Sequence, residues 1–124
     1  MGTAPNLNAS GVSAEGVFDQ ATFLASAGGD LDLLHELAQL FLDDCPQRLS
    51  ALRDALARRD RSALESAAHT LKGSAGYIGA AEVFAAAAEV EAIARCGDLA
   101  DADFACDKLQ QATVHLVHVL AAIR

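Results

Sequence analysis

Tryptophan is missing from this 124-residue chain, and aromatic residues make up only 5% of it. A core without large rings must be assembled from Leu, Val, Ile and many Ala. Small side chains let helices approach closely, and Ala is the strongest helix former. Strand signals are missing too: no alternating apolar–polar segment and no hairpin dipeptide occurs. No apolar run reaches the length needed to span a bilayer. Cations are scarce, nine Lys and Arg against 17 Asp and Glu, for a net charge of -8. That balance excludes the clustered positive charge that nucleic acid or an anionic membrane surface demands. The three cysteines, Cys45, Cys96 and Cys106, form no CxxC pair, which reads as reduced, largely buried thiols. Neither GxxxxGK[ST] nor GxGxxG is present, so no motif supports phosphorylation from ATP by the chain itself. Residues Met1 to Ser10 lack the cationic and apolar segments of a signal peptide, and a cytoplasmic location is expected.

What remains is ample for one small domain, with 52% hydrophobic residues and a mean hydropathy of +0.23. Residues 1–17, rich in Gly, Ser, Ala and Asn, read as a flexible leader, and 18–124 as the domain. Phe18 to Ala27 predicts a short helix capped by Asp19 and ended by Gly28-Gly29. Asp30 then caps a long helix with Leu31, Leu34, Ala38, Phe41, Cys45, Leu49, Leu52 and Leu56 on one stripe. The stripe keeps its register through Pro46, which favours one bent helix over two. A further helix is expected from about Arg61 to Ile78, capped by Asp60 and stopped by Gly79. Another runs from about Ala80 to Arg95, with Val83, Ala87, Val90 and Ala94 inward and Gly97 as its stop. Asp101 opens the last, with Leu109, Ala112, Leu116, Val119 and Ile123 inward. Short connections between long amphipathic helices predict an all-α, up-down antiparallel four-helix bundle with a short additional N-terminal helix.

The segment His69-Thr70-Leu71-Lys72-Gly73-Ser74-Ala75-Gly76-Tyr77-Ile78-Gly79 stands out, because glycine costs about 1 kcal/mol relative to alanine inside a helix. With Leu64, Ala68, Leu71, Ala75 and Ile78 defining the core direction, His69 points roughly 140° away from it, Gly73 about 180°, Gly76 about 120° and Lys72 about 80°. His69 is therefore an outward imidazole, with Lys72 and Gly73 as its i+3 and i+4 neighbours. A neutral imidazole nitrogen is a nucleophile near physiological pH. Lys72 offers a cation suited to a phosphoryl group formed on His69. Gly73 and Gly76 clear space for another protein's surface, and the wheel gives neither a packing role. Ser74 and Thr70 lie off this face.

The run His69-x-Leu71-Lys72-Gly73-Ser74-Ala75, followed by Ile78-Gly79-Ala80, closely resembles the signature of histidine-containing phosphotransfer (HPt) domains, the intermediate carriers of bacterial multistep phosphorelays. The resemblance extends through Phe41 to Pro46 with Leu49, Leu52 and Leu56, and through Val83 to Val90-Glu91, covering roughly Phe18 to Ile123. It implies that His69 accepts a phosphoryl group from a receiver-domain phosphoaspartate and passes it to the aspartate of another receiver. It implies that Lys72 supports that group and that Gly73 lets the receiver dock. The expected partners are response-regulator receiver domains and a hybrid sensor histidine kinase. Mg²⁺ is expected in the receiver's acidic pocket, with no metal or cofactor belonging to this domain. The phosphotransfer domain of chemotaxis kinases is similar, but it commonly has a Phe-Arg pair upstream and an aromatic after the late glycine. Here those positions read Glu65-Ser66-Ala67-Ala68 and Ala80, which favours a relay carrier.

Other residues read more plainly. His115 and His118 are spaced as metal ligands can be, but no Cys, Asp or Glu nearby completes a set, so both read as surface histidines flanking a Leu/Val stripe. His35 has no evident partner. Glu65, one turn before His69 on the docking side with Gly76, can tune the imidazole or be simply solvated, and the second is preferred. Asp98, Asp101 and Asp103 read as loop and capping acids. A helical interaction module that carries no phosphate is the alternative. An adaptor-like bundle would need a basic or apolar exposed face, and none stands out in the sequence. A monomer is expected.

Overall fold

The structure, a computed structural model, describes Ala25 and residues 28–123. The expected leader lies outside these residues, as does the expected short helix over Phe18 to Ala27 apart from Ala25. Four helices follow: α1 (Leu31–Ala57), α2 (Arg61–Ile78), α3 (Ala81–Cys96) and α4 (Ala102–Ile123). No strand occurs among the described residues. Consecutive helices pack on one another, α4 returns to α1, and the α2–α3 contact is the most extensive. The core therefore sits at the centre of an all-helical bundle.

The ends of the helices follow from their capping residues. The Asp30 side chain accepts the backbone N–H groups of Asp32 and Leu33, and Asp60 accepts that of Ala63, satisfying donors that a first helical turn leaves without partners. Gly79 and Gly97 close α2 and α3 at φ 75° and 88°, a left-handed conformation that glycine adopts without Cβ strain. α1 passes through Pro46 as a single element. In α2 the buried set is the five residues of the expected stripe, Leu64, Ala68, Leu71, Ala75 and Ile78.

The register slips at the outer ends. Leu31 is exposed, and Ala55 is buried where Leu56 was expected. In α4, Leu120 takes the core position and Val119 is half-buried, because the real apolar arc also takes in Ala105, Cys106 and Thr113. Thr113 is satisfied within its own helix, its hydroxyl donating to the Leu109 carbonyl at 2.7 Å. Cys45 and Cys106 are buried free thiols, but Cys96 is exposed. No described helix is long and apolar enough to cross a membrane.

Candidate functional site

Burial of its core stripe fixes the rotation of α2, and that rotation turns His69 outward with 69% of its side chain exposed. The ring is nevertheless held. Its Nδ1 lies 2.8 Å from Oε2 of Glu91, a residue of α3 whose side chain is only 4% exposed. Lys72 Nζ is 2.6 Å from the other oxygen, Oε1, of the same carboxylate. Arg95, one turn further along α3, donates from Nη2 to Glu91 Oε2 at 3.0 Å and from Nε to Glu65 Oε2 at 3.0 Å. The site is thus one buried carboxylate gripped by three nitrogen-bearing side chains, with a second acid behind it.

Electrostatics settles which atom carries the proton. The hydrogen bond from the Lys72 ammonium, and next that from His69, hold the Glu91 carboxyl down at about 2, against the opposite pull of burial. Glu91 is therefore a carboxylate at neutral pH, and a carboxylate only accepts hydrogen bonds. The hydrogen between Glu91 and His69 must sit on Nδ1, since a neutral imidazole has one N–H and one bare nitrogen. This partner assigns the tautomer: Nδ1–H inward, with the lone pair on Nε2. Two acids, Glu65 and Glu91, face two bases, Lys72 and Arg95, so the cluster is charge-balanced when the imidazole is neutral.

The remaining candidate residues fall in different places. Gly73 is open, with no atom within 4 Å of where its Cβ would be. Gly76 is a correction to the sequence reading, which gave it no packing role. Phe84 of α3 lies over it, so that a Cβ would stand 3.3 Å from Cδ2 and Cε2 of that ring. Lys72 lies beside the imidazole as its spacing required, but its ammonium is engaged by Glu91. Glu65 is neither free in solvent nor on the imidazole; it is tied to Arg95. Tyr77 and Phe84 leave apolar surface exposed next to these glycines, an exposed apolar area that the sequence did not reveal.

Glu91 and Arg95 were missed as site residues. The signal was available: Glu91 is four residues after Ala87 and three before Ala94, inside the α3 core stripe, where an unpartnered acid would be costly. Arg95 is its i+4 neighbour. Elsewhere, Glu82 of α3 stands 3.6 Å from His115 Nδ1, a partner that only helix packing supplies. His35 and His118 are exposed. Asp98 accepts the Ala100 N–H in the loop, while Asp103 pairs with Arg59 at 3.0 Å. Among the described residues no cluster of His, Cys, Asp and Glu is able to hold a metal ion.

His69 does not line the groove of about 560 Å³ between α1 and α2, which Ser66 and Thr70 border. The imidazole is presented outward, as suits a group that enters the cavity of another protein. Fold and site together define a helical domain that displays an oriented imidazole on α2. Comparison with known proteins specifies the class. The sequence profile of the Hpt domain matches residues 36–123, and the chain belongs to that family of phosphorelay carriers. Two solved structures share its fold. Histidine-containing phosphotransfer protein B (HptB) from Pseudomonas aeruginosa PAO1 is 24% identical, with a TM-score of 0.80, covering 86% of this chain and 92% of that one. The HPT domain of the Hpt sensor hybrid histidine kinase from Shewanella is 22% identical, with a TM-score of 0.67, covering 86% and 95%. No curated protein matches the chain.

Proposed function

We propose that His69 is the phosphoacceptor of a relay, taking a phosphoryl group from the phosphoaspartate of one receiver domain and giving it to the aspartate of another. The observation that carries this reading is the outward imidazole whose Nδ1 is occupied by ionised Glu91, leaving Nε2 as the nucleophile. The Nε2 lone pair attacks phosphorus, a P–N bond forms, and the P–O bond of the acyl phosphate breaks to release the donor's carboxylate. The second transfer is the reverse, with a new aspartate as acceptor. Lys72 is close enough to the ring to share a carboxylate with it, and so can offer its ammonium to the phosphoryl oxygens. Gly73 leaves room for the incoming receiver. The divalent metal of the reaction, Mg²⁺, sits in the receiver, and positioning with charge neutralisation does most of the work. Within this reading a hybrid sensor kinase stands upstream, and the domain works as a cytoplasmic monomer.

Incubation with a labelled phospho-receiver tests the reading directly. The expected outcome is label on this chain that is labile in acid and stable in alkali, and that is lost in His69→Gln. Full labelling of that variant would refute the site. No labelling of the unaltered protein would favour a module that binds without carrying phosphate.

A further inference from the structure

We infer that Glu91 is a positioning residue for the second half of the cycle: it keeps the proton on Nδ1 of phosphorylated His69, so that the ring is ready to leave as neutral imidazole. The inference rests on His69 being the phosphoacceptor and concerns what happens after it is loaded. Phosphorylation takes the Nε2 lone pair. The ring then sheds the Nδ1 proton unless something retains it, and its fate decides the leaving group. With the proton in place, breaking the P–N bond returns the electron pair to Nε2 and releases an uncharged imidazole. Without it, the same cleavage expels imidazolate, a far stronger base. No proton needs to be delivered to His69 during onward transfer if Glu91 has held it throughout.

The geometry suits this task. Glu91 Oε2 lies 2.8 Å from Nδ1, on the side of the ring away from solvent, and its side chain is 4% exposed. The charged groups facing the pair are Lys72 and Glu65 from α2 and Arg95 from α3. A phosphoryl group on Nε2 is an anion that competes with Glu91 for Lys72. If Lys72 shifts towards it, Glu91 keeps Arg95 and the Nδ1–H as partners, and its hold on that proton strengthens. Arg95 is itself moored by Glu65 at 3.0 Å, so the carboxylate keeps its place when Lys72 moves.

The test loads the ring without a receiver, using phosphoramidate, and follows spontaneous phosphoryl loss by ³¹P NMR from pH 5 to 10 in the unaltered protein and in Glu91→Gln. Glutamine keeps an oxygen for Nδ1–H but not the charge. Phosphoryl loss slows once Nδ1 is deprotonated. That break is expected at least one pH unit higher in the unaltered protein, which at pH values between the two breaks is about tenfold in relative rate. Coincident breaks overturn the inference. Because Glu91→Gln can fail to fold, ¹⁵N NMR of the loaded, unaltered protein at pH 8 supplies an independent reading. A proton on Nδ1 and phosphorus on Nε2 are expected; a bare Nδ1, or a ring that phosphoramidate does not load, overturns the inference. A protein that loads chemically with a retained proton, but takes nothing from a phospho-receiver, would sink the relay reading alone.

Discussion

Gly73 and Gly76 sit three residues apart in one helix, yet a methyl group added to each meets different surroundings. At Gly73 it meets nothing, so Gly73→Ala should recover most of the helix penalty and stabilise the fold by up to about 1 kcal/mol. At Gly76 it presses on the Phe84 ring, which must yield, and the gain should be smaller. Thermal unfolding of the two variants checks the order. A bulky residue such as Gln at position 73 should keep the fold but slow phosphoryl transfer from a receiver; unchanged transfer would remove the docking role of Gly73. Glu91 makes a pH prediction. Its carboxyl is depressed from 4.5 to about 2, so its contribution is fully present above its unfolded value and is lost as pH falls from about 4.5 towards 2. Glu91→Gln should therefore flatten the acid limb of a stability-against-pH curve over that window. An acid limb of the same steepness would show that the cluster does not couple to folding.

At the scale of the element, α2 is the part that aims the chemistry. Its five-residue core stripe was legible because spacings of three and four admit only one rotation. Its start depends on Asp60, which accepts the Ala63 N–H at 3.0 Å and also takes a hydrogen bond from Arg58 at 3.1 Å. Asp60→Ala should cost about 1 kcal/mol, measurable by denaturant titration. Amide exchange at the first turn of α2 should rise with it, and an effect confined to distant helices would contradict the capping role. The ends of α1 and α4 were read less well. There the apolar arc is wide, and several rotations bury similar area, so Ala55 and Leu120 displaced the residues that the pattern preferred.

For the whole molecule, small side chains close the core, and Leu71 sits in it fully buried on the helix that carries His69. Leu71→Ala should cost about 2–5 kcal/mol, the usual range for an emptied core site, read as a lowered melting temperature. The three cysteines probe the same packing. Burial pushes the Cys45 and Cys106 thiols up to about 11, whereas Cys96 is exposed. A thiol reagent at pH 8 should modify one cysteine rapidly and the other two only on unfolding; three equally fast reactions would show that the core opens readily.

The sequence by itself determined the four helices that the structure describes, most of their buried faces, the outward direction of His69 and the position of Lys72. These follow from periodicity and capping, which are local along the chain. Only the tertiary structure decided what His69 touches. Its proton is assigned by Glu91 from the next helix, Glu65 is bound to Arg95 rather than to the imidazole, and Gly76 is covered by Phe84. Those contacts join residues up to 30 positions apart. They depend on how α2 and α3 are set against each other, which no pattern within either helix specifies.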